Sequence, residues 1–205
     1  MEKSEIKKEL DMSYDDLVAY LIKKYGPAKY DYFCSDSCKT KNKKVTRSAE
    51  GLECHHIDED KAIMLSRPEY AIRNPFEYQK ADRLVYCNVM EHLILHAKIV
   101  EEPCKKNANL FELPGAGGVI NICIGINDYY NGFEYKQSYK QALYAHIADN
   151  FDDYIDILVR ILDLVDNKRP ELYLLLNKEK LSKGFEGQII EKIYRAIGDR
   201  QYGII

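Results

Sequence analysis

Apolar positions in the first 30 residues follow a helical rhythm. Leu17, Tyr20, Leu21 and Tyr25 recur at the three- and four-residue spacing of one helix face, which predicts a helix over 14–25. Ser13 followed by Asp16 resembles a capping box with Asp in place of Glu, and Gly26-Pro27 ends the run. The same rhythm returns from about 135 to 166, where the chain reads as helix, broken or bent in places. There Tyr154, Ile157, Leu158, Ile161, Leu162 and Val165 form a stripe expected to face a core. Asn167-Lys168-Arg169-Pro170 breaks that helix, and one or two more follow. The last, about 185–197, turns Ile189, Ile190, Ile193 and Ala196 inward.

The middle of the chain reads differently. Lys44-Val45-Thr46-Arg47 and Leu52-Glu53-Cys54-His55-His56-Ile57 flank Ala49-Glu50-Gly51, a turn-like triplet, and predict a β-hairpin. Residues 58–82 form a long connection with Pro68, Pro75 and short helical turns. Leu84-Val85-Tyr86-Cys87 is a short apolar strand. Asn88 followed by Glu91 marks a helix start, and that helix runs through His92 and His96 to about Val100. Pro114-Gly115-Ala116-Gly117-Gly118 reads as a loop, without the Lys-Ser/Thr ending of a phosphate-binding P-loop. The expected class is α+β, with residues 1–130 as an N-terminal α/β part and 131–205 as a helical C-terminal region, and no clear linker between them.

At 205 residues the chain is long enough for a proper core without disulfides. Its 46% hydrophobic and 31% charged residues exclude disorder and a membrane-embedded protein, and no apolar run nears the roughly 18 residues of a span. The charged start, Met1-Glu2-Lys3-Ser4-Glu5, does not read as a signal peptide, so a cytoplasmic location is expected. In that compartment the six cysteines stay reduced, as buried small apolar groups or metal ligands. Cys54 and Cys87 sit at the strand ends and can pack side by side. Cys34 and Cys38 leave a zinc site open, and core packing is the default for Cys104 and Cys123. A net charge of −3 excludes a globally basic coat protein but not a local basic face. Lys39, Lys41, Lys43, Lys44 and Arg47 crowd into nine positions, and phosphate contact is the expected role for them.

Histidine is the informative residue. Four of the five histidines fall between 55 and 96, and His146 lies apart in the helical region, where a structural role is expected. His92 and His96, four apart on a helix, stack on one face and can share a metal ion. His55 and His56 are neighbours on a strand, so one can ligate while the other faces elsewhere. Strand, second strand, then His-x-x-x-His on a helix is a ββα-metal order.

Through Cys54-His55-His56-Ile57, Arg83-Leu84-Val85-Tyr86 and Glu91-His92-Leu93-Ile94-Leu95-His96, this order resembles the HNH endonuclease family of the ββα-metal superfamily, over roughly residues 53–97. The resemblance implies a ββα-metal core (about 44–100) embedded in a mostly α-helical protein. It implies that His55, His92 and His96 hold one divalent metal ion (Mg²⁺, Mn²⁺, Ni²⁺ or Zn²⁺) and that His56 is the general base activating water. The expected substrate is DNA, with RNA not excluded, and the expected products carry 5′-phosphate and 3′-hydroxyl. By family analogy, a role in restriction, phage or mobile-element defence is expected. Where the family has its middle Asn, nine residues before the first helix histidine, this chain has Arg83. Arg83 would contact the phosphate instead, or Asn88 or Asp82 would take over part of the role of supporting His56. Asp58, Glu59 and Asp60 are expected to be solvated loop charge, a carboxylate ligand being the alternative. The competing reading from another class is a non-catalytic, zinc-stabilised nucleic-acid-binding module. The helix at 14–25 and the C-terminal helices are available for selectivity or for a homodimer interface.

Overall fold

The computed structural model describes residues 5–102, 113–182 and 188–201. The expected helix at 14–25 forms as α2 (Tyr14–Tyr25), preceded by α1 (Glu5–Asp11). The Ser13 hydroxyl accepts the Asp16 N–H at the start of α2, and Gly26, at φ 80°, closes it. Leu17 and Leu21 are fully buried, so the stripe read from spacing is the packed face.

Strand β1 (Glu53–His56) pairs antiparallel with β2 (Leu84–Cys87) in the register Glu53↔Cys87, Cys54↔Tyr86, His55↔Val85 and His56↔Leu84. This corrects the expected local hairpin. Residues 43–45 and 48–50 are single 3₁₀ turns, not a strand and its turn. Gly51, left-handed at φ 72°, redirects the chain into β1. The carbonyl of fully buried Val45 accepts the Tyr86 hydroxyl at 2.9 Å, which fixes this turn against β2. The partner of β1 is therefore a strand that starts 28 positions after β1 ends, across a connection of short turns and α3 (Pro68–Ala71).

Helix α4 (Val89–Glu101) follows β2 directly. Asn88 Oδ1 accepts the N–H groups of Met90 and Glu91, and the Glu91 carboxylate accepts the Asn88 N–H, a complete capping box. Helix α5 (Ala116–Tyr130) packs on α4. Residues 116–118, read from sequence as loop, are its first turn. Helices α6 (Ser138–Ala145), α7 (Phe151–Asp163), α8 (Lys178–Leu181) and α9 (Gln188–Gln201) complete the chain. The expected α7 stripe is buried, and Val165 with it, in the irregular turn that follows. On α9, Ile193 is buried and Ala196 half-buried, while the side chains of Ile189 and Ile190, like Cys104, lie outside the described residues. The fold is mostly helical with one small antiparallel sheet, an α+β arrangement.

One apolar core joins Leu17, Leu21, Val85, Leu93 and Ile94 to Ile155, Leu158, Leu162 and Ile193, so it draws on both sides of residue 130. A second cluster of Tyr32, Phe33, Val45, Leu52, Leu84 and Tyr86 lies on the other side of the sheet. The four β2 residues are all buried because they face both clusters. Among the described residues, no helix is long and apolar enough to cross a membrane.

Candidate metal centre

The sheet and α4 bring three of the four clustered histidines together. His55 comes from β1, and His92 and His96 come one turn apart from α4. Their rings lie 4.9–5.2 Å from one another between centroids. Glu59, from the 3₁₀ turn that follows β1, joins them. One ligand atom from each of His55, Glu59, His92 and His96 lies within 4.8 Å of the others. Glu59 Oε2 is 3.5 Å from His55 Nδ1 and 3.3 Å from His96 Nε2, and the two Nε2 atoms of His92 and His96 are 3.2 Å apart.

Partners outside the cluster set which nitrogen faces it. The Tyr14 hydroxyl donates to the Ile57 carbonyl at 2.8 Å, so at 3.0 Å it accepts from His55 Nε2–H. His55 Nδ1 is then left as a bare lone pair, buried and without a hydrogen-bond partner. His92 Nδ1 donates to Glu53 at 2.7 Å, which leaves its Nε2 as a lone pair. A carboxylate behind a histidine fixes its tautomer and raises its basicity as a ligand. Three imidazole nitrogens and one carboxylate oxygen, two of the rings held by such partners and with an orphaned His55 lone pair among them, fit a divalent ion; His96 Nδ1, on the far side of its ring, is buried without a partner. The nitrogen-rich set suits Zn²⁺ or Ni²⁺ better than Mn²⁺ or Mg²⁺, which prefer oxygen.

The His96 ring rests on Gly118, in the first turn of α5. A Cβ there would sit 2.3 Å from His96 Nδ1 and Cε1, so only glycine lets α5 approach this ligand. Gly115 allows the same approach one turn earlier: it has φ 87°, and a Cβ on it would lie 2.8 Å from the His96 carbonyl.

His56 stands beside the cluster, outside the four-donor set. Its ring lies 4.3 Å from that of Tyr32, and its Nε2 is 2.9 Å from Gln79 Oε1. Gln79 is fully buried, and its amide nitrogen donates to the Leu65 carbonyl at 3.2 Å. With the amide thus oriented, Gln79 Oε1 takes the His56 Nε2–H and Nδ1 keeps the lone pair. Nδ1 is 3.9 Å from Glu59 Oε1, and His56 lines the same cleft of about 310 Å³ as the four donors.

Sequence reasoning missed Gln79, Tyr14 and Glu53, which no local pattern marks. Glu59 had a signal, an acidic residue four places after His55. Its expected role as solvated charge is corrected, since its side chain is only 13% exposed. Asp58 is likewise buried. It pairs with Lys61 at 2.6 Å and holds Arg83 through two 2.7 Å bonds. Arg83 is thus engaged in that fork and does not line the cleft with the histidines, and Asn88 is occupied as the α4 cap. Neither touches His56; the group on its ring nitrogen is Gln79.

The five basic residues separate. Arg47 pairs with Glu50 and donates to the Tyr25 carbonyl. Lys44 lies over Tyr30 and shares a groove there with Arg47. Lys41 sits over the Tyr32 ring at 4.4 Å and lines, with Arg47, a second cleft that meets the first at Cys54, Ser66 and His92. Lys39 and Lys43 line neither cleft. Cys34 and Cys38 join no group of three or more metal donors among the described residues, and Cys54 lines the clefts while Cys87 and Cys123 are buried. His146 lies away from the cluster, with Nε2 3.1 Å from the Glu50 carbonyl.

Burial pushes His55 and His96 well below the ordinary histidine value, and takes His56 down to about 4 against the opposing bond to Gln79. His92 is also disfavoured as a cation by burial, but Glu53 and Glu59 outweigh that and raise it. Burial raises Glu59 to about 7, opposed by His92. Far from the cluster, Glu9 on α1 has two buried oxygens with no hydrogen-bond partner. Burial and the nearby Glu91 raise it to about 8, against Lys24 Nζ at 3.7 Å. A histidine with a lowered pKa binds fewer protons folded than unfolded, so stability is lost as pH falls below about 6.5. The raised Glu59 and Glu9 bind more protons folded, so the stability they contribute is lost as pH rises through about 7 and about 8, and the raised His92 acts in the same direction. The metal-free protein is therefore expected to be most stable near pH 6.5. Urea midpoints in a chelating buffer at pH 5, 6.5 and 8 check this, and a midpoint that rises steadily to pH 8 contradicts it.

Comparison with protein families, with curated proteins and with solved structures returned no match for this chain.

Proposed function

We propose that the chain is a metal-dependent endonuclease of the HNH type that hydrolyses phosphodiester bonds in DNA. The observation that carries this reading is His56: a neutral imidazole beside a four-donor cluster, in the same cleft, with one nitrogen bonded to Gln79 and the other left as a lone pair. A phosphodiester repels an anionic nucleophile and has a poor leaving group, so its hydrolysis needs a proton acceptor next to a cation. A divalent ion bound at the cluster supplies Lewis-acid charge for the phosphoryl oxygen and the departing 3′ oxygen. His56 Nδ1 accepts the proton as the water oxygen attacks phosphorus. The bond from phosphorus to the 3′ oxygen breaks, and that oxygen takes a proton from solvent. Gln79 holds the Nε2–H through the step, so His56 keeps one tautomer. A histidine base held at about 4 stays unprotonated throughout the neutral range.

Supercoiled plasmid and linear single-stranded DNA, each incubated with Zn²⁺, Ni²⁺, Mn²⁺ or Mg²⁺, test the reading. Nicking or fragmentation is expected with at least one ion and none with EDTA. No cleavage of either substrate under any ion overturns it.

One observation favours a second reading. With Glu59 as fourth donor the set is three histidines and a carboxylate, and a filled tetrahedral shell is the mark of structural zinc. A non-catalytic, zinc-stabilised nucleic-acid-binding module would use the cluster in that way. Stoichiometric zinc in a protein that binds DNA and never cuts it would favour this reading.

A further inference from the structure

The cluster lies at the meeting of two clefts, each of about 310 Å³, which share Cys54, Ser66 and His92 as common wall. Each cleft is within the size of sites that enclose a small ligand. The first sets the apolar side chains of Ala62, Ile63, Met64, Leu113 and Ile122 beside the four donors and His56, with Arg67 at its edge, whose side chain is 63% exposed and whose nearest carboxylate, Glu69, is 3.8 Å away. The second holds Lys41 and Tyr139. Tyr139, on α6, is 48% exposed and stands free of the ring stacks that occupy Tyr129, Tyr135 and Tyr144. Lys41 and Arg47 of the basic run both line this cleft; Arg47 is paired with Glu50, whereas Lys41 has no ion pair within 4 Å among the described residues, feels Glu53 of the same cleft at longer range, and by its position over Tyr32 lies one ring away from His56.

We infer that the two clefts form one track for a single nucleic-acid strand, with Lys41 and Tyr139 as a nucleotide subsite on one side of the cluster and Arg67 contacting the strand on the other. The inference rests on the nuclease reading and names its substrate class. His55 and His56 are 1% exposed and His96 7%, so a phosphodiester reaches them only by entering the cleft. A duplex carries its phosphates on a convex ridge with its bases stacked and paired behind them. A single strand can unstack, lay its backbone along the cations and set a base on an aromatic ring, the recurrent design of single-strand sites. The apolar side chains of the first cleft suit a base face.

The test is fluorescence anisotropy of a labelled 12-nucleotide single strand and of the matching duplex on His56→Ala protein loaded with Zn²⁺. The single strand is expected to bind at least tenfold more tightly than the duplex. Lys41→Ala and Tyr139→Ala, added to that background, are each expected to weaken single-strand binding about tenfold, in the range that loss of one stacked base gives. Lys39→Ala, on the same loop but outside the clefts, is expected to change it less than twofold. Circular dichroism confirms that each variant is folded; both tested side chains are at the surface, so neither change disturbs the core. Equal binding of duplex and single strand overturns the track, as does unchanged binding in both Lys41→Ala and Tyr139→Ala. Either result with plasmid cleavage intact leaves the nuclease reading standing. The expected binding pattern with no cleavage by the unsubstituted protein leaves the track and overturns the nuclease.

Discussion

His56→Ala is expected to lower metal-dependent DNA cleavage by about 10²–10⁴-fold, the span that a positioned general base contributes. His56 is not among the four donors, so the ion is expected to stay bound at one equivalent. The change removes a ring packed on Tyr32 and leaves Gln79 Oε1 without its donor, so roughly 1–3 kcal/mol of stability should be lost. A folded, metal-loaded, inactive protein separates loss of the base from loss of the fold. Single-turnover cleavage, metal analysis and a thermal melt on one preparation read all three. Cleavage at the unsubstituted rate would remove His56 from the mechanism and return weight to the structural-zinc reading.

The second large effect concerns the ion itself. Binding to the folded state alone stabilises it by about 4 kcal/mol when free metal is a thousandfold above the dissociation constant. For a chain of this length that corresponds to a rise in Tm of roughly 10 °C. EDTA is expected to reverse the rise, and His96→Ala is expected to abolish it. The physical reason is that the metal-free cluster keeps a buried, unpartnered lone pair on His55 Nδ1 and a buried Glu59 raised to about 7, both of which an ion relieves. The same argument sets the sign with pH. Protons compete for the histidine nitrogens, so the metal-induced rise should shrink as pH falls below about 6.5. Differential scanning calorimetry with and without Zn²⁺ at pH 5.5 and 7.5 measures it. A Tm indifferent to the ion at both values would show that these donors do not bind one.

The two tests bear on different parts of the site. An ion bound at this cluster would tie β1 to α4, since His55 and Glu59 come with the sheet and the turn after it while His92 and His96 come with the helix. His56, the next residue of β1, and Gln79, from the connection behind it, stand beside the cluster but outside its four donors. One cluster can therefore stabilise the fold whatever the chemistry beside it does, and only the His56 result speaks to catalysis.

What could be read in advance was what depends on near neighbours in the chain. The i,i+4 spacing of His92 and His96 puts both on one face of any helix, Asn88 and Glu91 cap that helix through their own backbone, and alternation along a strand turns His55 and His56 to different sides. The stripes of α2 and α7 are of the same kind. Tertiary structure alone decided the rest. The partner of β1 is β2 and not the adjacent segment, whose residues 43–45 and 48–50 fold as single turns with Val45 buried under Tyr86. Tyr14 reaches His55 from 41 residues away and Gln79 reaches His56 from 23, contacts that packing makes and no spacing encodes. Among five clustered cations of equal charge, the fold turned Lys41 toward the cluster and gave Arg47 a carboxylate partner. Local geometry selects which side chains can share a face; which faces then meet is set by the burial of apolar surface from the whole chain.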